Sequence, residues 1–163
     1  MTFVLFHASS LFLYRMSSIV VCSLVDLDML HTLGLRGNRL TLKSLNTIFT
    51  HVNVKGFRHI DVSMNDMSGS AVSTLCDLLV RSDCRLSSLE LEKTELPRHN
   101  VKQICRAITF PETSWIMELS LARNSLDGRA MPTIAAVLKY PGMKQQCSLL
   151  PIHTPFISDA CTY

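Results

Sequence analysis

Apolar residues recur along this chain in two alternating rhythms. Leu30, Leu33, Leu35 and Leu40, with Asn38 between the last two, follow the spacing LxxLxLxxNxL at every marked place. Phe57, Ile60, Val62, Asn65 and Met67 repeat it, as do Ile116, Leu119, Leu121, Asn124 and Leu126. A copy between these two has Leu86, Leu89, Leu91, Thr94 and Leu96, with threonine in the asparagine column. The first positions are 57 − 30 = 27, 86 − 57 = 29 and 116 − 86 = 30 residues apart. The apolar pair two residues apart inside each copy predicts a short strand, because side chains alternate between faces with a period of two.

The second half of each unit carries the other rhythm. With the first apolar residue as column one, columns sixteen, nineteen, twenty and twenty-three hold Leu45, Ile48, Phe49 and Val52, then Val72, Leu75, Cys76 and Leu79. They continue with Val101, Ile104, Cys105 and Ile108, then Met131, Ile134, Ala135 and Leu138. Steps of three, one and three place these residues on one stripe of a helix with 3.6 residues per turn. Each unit is therefore expected to be a strand followed by a helix. Neither element can bury its apolar side alone, so the units stack around a shared core.

Extending the frame toward the N-terminus puts Met1, Val4, Phe6, Ser9 and Leu11 in the strand columns and Met16, Ile19 and Val20 in the helix columns, a degenerate first repeat. This absorbs the apolar run from Phe3 to Val25. Arg15 near its middle argues against a membrane span, which needs about 20 apolar residues with few charges. The start lacks the basic residues of a signal peptide. After Tyr140-Pro141-Gly142, which reads as a turn ending the last helix, Cys147 and Leu149 suggest a partial repeat. Pro151 and Pro155 oppose its extension.

The four strong copies with their helical stripes resemble the leucine-rich repeat family, in particular its ribonuclease-inhibitor-like class, closely over residues 30 to 140 and more loosely over 1 to 29. The resemblance implies an α/β solenoid, a horseshoe segment with parallel strands on the concave side and helices on the convex side. It also implies binding of other proteins through the concave surface, and no enzymatic activity. The expected organisation is a repeat array over 1–143, divided as 1–29, 30–56, 57–85, 86–115 and 116–143, with a partial repeat and tail over 144–163.

Asn38, Asn65 and Asn124 each offer an amide donor and a carbonyl acceptor to the turn leaving the strand, whose backbone groups would otherwise be buried unpaired. The residues between the strand leucines are expected on the open face. Among them Arg36 and Arg39 form a basic end, and Asp61, Asp66, Glu90, Glu92 and Glu95 form an acidic middle that Lys93 and Arg123 offset in part. His59 and Glu118 complete the candidate protein-binding set. Such a face suits a partner protein with a basic segment opposite the acidic middle. The open start of the stack also suggests self-association through an uncapped N-terminal end, or a chain cut from a longer array.

Composition narrows the remaining classes. The 163 residues are 47% hydrophobic, enough for one core, and 16 Lys plus Arg against 13 Asp plus Glu leave +3 with no basic run, so nucleic acid is not an expected partner. The six cysteines show no CxxC pair and sit mostly among apolar residues, which reads as buried thiols in a reducing, cytoplasmic setting. His59 and Asp61 share a strand face, but no further ligand stands in register, and Gly34 and Gly37 form no phosphate cradle. No nucleophile, base and orienting group are expected to converge. Neither cofactor, metal nor small-molecule substrate is therefore expected. Trp115 reads as a turn or edge-packing residue that becomes a contact anchor if exposed. Two function classes follow: an interaction scaffold or adaptor using its concave face, and a structural subunit of a large assembly held through its ends and convex face.

Overall fold

In the computed structural model, which describes residues 2–4, 31–52, 56–81, 83–109 and 115–139, strands and helices alternate along the chain. The order is β1 (Thr2–Val4), β2 (Thr32–Gly34), α1 (Leu42–His51), β3 (His59–Asp61), α2 (Ala71–Leu79), β4 (Ser88–Glu90), α3 (Arg98–Ile108), β5 (Glu118–Ser120) and α4 (Met131–Leu138). The strands form one parallel sheet in sequence order, β1-β2-β3-β4-β5. α1, α2 and α3 are crossovers that return the chain to the same edge for the next parallel strand. The expected α/β leucine-rich repeat solenoid is the observed architecture.

Register follows the repeat columns. Leu33, Ile60, Leu89 and Leu119 are partners across β2 to β5, with Thr32, His59, Ser88 and Glu118 in the row before them and Gly34, Asp61, Glu90 and Ser120 in the row after. Pairing continues past the three-residue strands. The Leu35, Val62 and Leu91 amides donate to the Asp61, Glu90 and Ser120 carbonyls, and the Gly37, Met64 and Lys93 amides to the Ser63, Glu92 and Ala122 carbonyls.

The core lies between this sheet and the helices. Leu33, Leu35, Ile60, Val62, Leu89, Leu91, Leu119 and Leu121 are buried from the strand side, and Leu45, Ile48, Phe49, Val72, Leu75, Val101, Ile104, Cys105 and Ile134 from the helix side. Helices are about 10 Å across and strands about 4.8 Å apart, so stacking the two places the sheet on the narrower, inner side. Local chemistry sets the helix starts. Thr41 caps α1 by accepting the Ser44 amide at 3.2 Å, Pro97 precedes α3, and Pro132 sits in the first turn of α4, where an amide would have no helical partner.

Two expectations need correction, and three others fall outside the described residues. β1 pairs Phe3 with Leu33 and Val4 with Gly34, one residue away from the frame that aligned Val4 with Leu33. Phe3, Val4, Leu5 and Phe6 are all apolar, so no alternation in the sequence fixes the register there. Ala135 is exposed rather than part of the buried stripe, because α4 is flanked by a helix on one side only among the described residues. The helix expected around Met16, Ile19 and Val20, the turn at Tyr140-Pro141-Gly142, and the partial repeat and tail over 144–163 lie outside the described residues. Among the described residues no helix is long and apolar enough to cross a membrane.

Candidate functional site

The asparagine column is what holds the strand face in shape. Asn65 donates through Nδ2 to the Val62 and Ser63 carbonyls of its own turn, at 2.9 and 3.2 Å. It also donates to Leu35 of the preceding repeat at 2.9 Å, while its Oδ1 accepts the Leu40 amide at 2.9 Å. Asn124 repeats this, donating to Leu121 and to Leu91 and accepting the Thr94 and Leu96 amides. Repeat spacing alone assigns each asparagine to its own turn. In the structure Asn65 and Asn124 also bind the turn of the repeat before, so each side chain sets the spacing between two units. Asn38 donates to the Arg36 carbonyl at 3.2 Å.

Just before each asparagine-column residue the backbone enters the left-handed region: Gly37, Met64, Lys93 and Arg123 have φ of 68°, 59°, 51° and 57°. This turn swings the chain out of the sheet. Arg39, Asp66 and Glu95 lie after it, on exposed loop rather than on the strand rows. Arg39 and Glu95 are themselves left-handed, with φ of 50° and 57°. Two-residue alternation does not extend through such a turn, so these three are displaced from the strand face where the sequence placed them. Asp66 accepts the Ser68 amide at 2.8 Å, and its hydrogen bonds to the Ser68 hydroxyl and amide hold its carboxyl below the usual range. It shapes the entry to α2.

The strand face proper brings together Arg36, His59, Asp61, Glu90, Glu92 and Arg123. Arg36 crosses the intervening repeat to bond Glu92 at 2.5 Å and approaches Glu90 at 3.9 Å. Arg123 reaches the other oxygen of Glu92 at 3.3 Å. The hydrogen bond from Arg36 is the main cause holding the Glu92 carboxyl below its usual range, and it raises the Arg36 guanidinium in turn. The expected basic end and acidic middle are thus joined at Glu92. Asp61 and Glu90 remain as a negative pair, direct partners across β3 and β4, with the small residues Gly34 and Ser120 on either side. Desolvation, then the charge of Asp61, pushes the Glu90 carboxyl up, while His59 and Arg36 pull it down. Glu118 is exposed at the β5 end of the His59 row.

His59 turns toward the next strand rather than toward Asp61. Its Nδ1 lies 2.9 Å from the Ser88 hydroxyl and its Nε2 3.5 Å from Glu90. A serine, a histidine and a carboxylate therefore do meet, contrary to the sequence expectation, because neighbouring strands supply what no single segment contains. The set has no acyl-transfer geometry. Ser88 is only 8% exposed, and neighbouring amides, including those of Ser88 and Glu118, donate to backbone carbonyls of the sheet rather than to an oxyanion site.

The edge where the strands begin lies outside the apolar repeat columns. Trp115, expected to pack, is 54% exposed, with the Arg85 guanidinium 4.8 Å from its ring centre, and Met117 beside it is 40% exposed. The available signal was positional: Trp115 precedes column one, outside every buried column.

No family model matches the chain. It is similar to the ribonuclease inhibitor of Mus musculus, 25% identical over 111 residues that make up 64% of this chain and 24% of that protein. Two further Mus musculus relatives are NACHT, LRR and PYD domains-containing protein 3, 27% identical over 88 residues, and protein 4C, 28% identical over 95. These matches cover 54% and 58% of this chain but 8% and 9% of those proteins, so the chain spans a small part of its relatives' length. Parallel strand register, the buried helical stripe and relatives of leucine-rich repeat type agree: the chain is a leucine-rich repeat solenoid.

Proposed function

We propose that this chain is a protein-interaction scaffold without catalytic activity of its own, and that its concave strand face takes a basic segment of a partner protein. The observation carrying this reading is the Asp61 and Glu90 pair. Like charges directly opposed across two strands destabilise a sheet by about 0.2–1 kcal/mol, and here they are solvent-facing neighbours between residues with little side chain. A lysine or arginine laid over Gly34 and Ser120 would reach both carboxylates and relieve their repulsion. Glu92, held between Arg36 and Arg123, is less available to a partner cation.

A relative named ribonuclease inhibitor carries a protein target in its name, which supports protein recognition as the general role. Cys76 and Cys84 are free thiols, in keeping with a cytoplasmic setting. The test is affinity capture with identification of bound proteins by mass spectrometry, followed by binding measurements on the purified partner. The Asp61→Lys, Glu90→Lys chain should bind at least about tenfold more weakly, and unchanged affinity would remove the concave face from the interface.

A further inference from the structure

The helices on the convex side differ in what they show to solvent. Columns thirteen, seventeen and twenty-one, spaced one helical turn apart, hold Gly69, Ser73 and Asp77 in the second strong unit and Gly128, Pro132 and Ala136 in the fourth. In the third they hold Arg98, Lys102 and Arg106. α3 thus carries a cation in each of these columns, and it contains no aspartate or glutamate. Its Val101, Ile104, Cys105 and Ile108 are buried in the core, which leaves the cations along the outer flank, Arg98 and Arg106 exposed and Lys102 half-buried.

Contacts between α1 and α2 show what column seventeen faces. Asn46, in that column, donates to the Ser70 hydroxyl and accepts from the Thr74 hydroxyl, both at 2.9 Å, and these belong to columns fourteen and eighteen of the next unit. In the same register Lys102 faces Arg129 and Thr133, so a cation meets a second cation where α1 and α2 exchange hydrogen bonds. Among the described residues none of Arg98, Lys102, Arg106 and Arg129 forms an ion pair. Asp127, the acid ahead of α4, accepts the Arg129 amide at 3.1 Å instead. Like charges four residues apart oppose a helix, and a cation in its first turn is unfavourable to the dipole. Folding alone therefore gives no reason for this pattern.

We propose that the outer flank of α3 is a second protein-contact surface, and that its occupant is an acidic amphipathic helix of a partner protein. Charge complementarity and spacing choose the occupant. Four residues advance any α-helix by about 6 Å, so glutamates at every fourth position meet Arg98, Lys102 and Arg106 in step. Arginine pairs with a carboxylate through two parallel N–H donors. The neighbouring α4 presents the low side chains of Pro132, Thr133 and Ala136, and a Cβ at Gly128 would meet nothing within 4 Å, so apolar residues beside the glutamates have room to settle there. An anionic membrane favours a helix with bulky apolar residues beside its cations, and a nucleic-acid strand favours aromatic platforms. α3 and α4 contain no phenylalanine, tyrosine or tryptophan. The surface does not depend on the concave-face reading, since it uses the helices and takes the opposite charge.

The probe is a capped, fluorescein-labelled peptide of four tandem Glu-Ala-Gln-Leu units, titrated with the whole chain and followed by anisotropy. One control peptide has glutamine for every glutamate, and another has proline for the central alanines, which breaks its helix. The expected result is a saturable rise with the first peptide, and half-saturation at least about tenfold higher for each control and for the Arg98→Gln, Lys102→Gln, Arg106→Gln chain. The Arg98→Lys, Arg106→Lys chain keeps the charges and should bind within about threefold of the native one. Far-UV circular dichroism verifies that both variants keep their helices. No saturable rise below about 1 mM, or undiminished binding by the glutamine chain, would overturn the proposal. So would tighter binding, through these same cations, to phosphatidylserine vesicles or to a short single-stranded RNA.

Discussion

Arg36 and Glu92 are 56 residues apart in sequence and 2.5 Å apart in space, joined across a whole repeat. The residue between them in the same column is Ser63, whose small buried side chain leaves the path clear and whose hydroxyl accepts the Glu92 amide at 3.1 Å. Because Arg123 also reaches Glu92 at 3.3 Å, one carboxylate links three of the repeats. The pair is partly exposed, so its worth is modest. A double-mutant cycle of Arg36→Ala and Glu92→Gln by urea denaturation should give a coupling of about 0.2–1 kcal/mol, falling when salt is raised to about 1 M. Zero coupling at low salt would show that the contact has no thermodynamic weight.

The asparagine column predicts a larger effect. Asn65→Ala removes partners from the Leu35 and Val62 carbonyls and the Leu40 amide at once, in a buried place. It should cost about 1–3 kcal/mol through polar groups left unpaired. Thr94 is the converse case. Its hydroxyl serves Leu91 at 2.8 Å, but the Met67 amide of the previous repeat must use the Thr94 backbone carbonyl instead of a side-chain oxygen. Thr94→Asn should restore the link between repeats and stabilise the chain by about 0.5–1.5 kcal/mol. Thermal melts of both variants check the pair, and a neutral Asn65→Ala would contradict the assigned bonding.

Much of this architecture is written in the spacing. Leu33, Ile60, Leu89 and Leu119 fall in register because burial beside an equivalent neighbour requires an apolar residue there, and that requirement is visible in a single sequence. β1 was legible as a strand but not in register, since its apolar residues do not alternate. The candidate face was legible as a list of residues and not as an electrostatic pattern. Long side chains such as Arg36 cross between repeats, and neighbouring strands put His59 against Ser88, neither of which periodicity reports. Arg39, Asp66 and Glu95 were displaced by left-handed turns that the sequence marks with glycine only at Gly37 and fills with ordinary side chains at Met64 and Lys93.

That turn is itself testable at Met64, which is exposed and has φ of 59°. A β-branched side chain is poorly accommodated in the left-handed region, so Met64→Val should cost about 1–2 kcal/mol without any loss of core packing. Met64→Gly should stay within about 1 kcal/mol of the native chain, because relief of the turn is offset by greater freedom in the unfolded chain. Chemical denaturation of the two variants side by side separates backbone conformation from side-chain contact. Equal stabilities would mean that the turn does not constrain this residue.

The acidic pair makes the sharpest pH prediction. Glu90 has its folded carboxyl pushed above the ordinary 4.5 by desolvation and by Asp61, so as pH falls the folded state takes up this proton before the unfolded state does. By linkage, Glu90 lowers stability at neutral pH, and that deficit is relieved as pH falls through the raised folded value toward 4.5. Glu90→Gln should therefore raise stability by about 0.2–1 kcal/mol at pH 7, and the advantage should shrink on acidification as Glu90 in the native chain becomes neutral. Glu92→Gln has the opposite sign: its folded carboxyl is lowered by Arg36, so the native charge contributes stability above the unfolded value that is lost as pH falls through the folded one. Melting curves of the native chain and both variants from pH 7 downward should show these opposed trends. A Glu90→Gln chain less stable than the native one at pH 7 would mean that Arg36 and His59 already satisfy this carboxylate, leaving a partner's cation little repulsion to relieve.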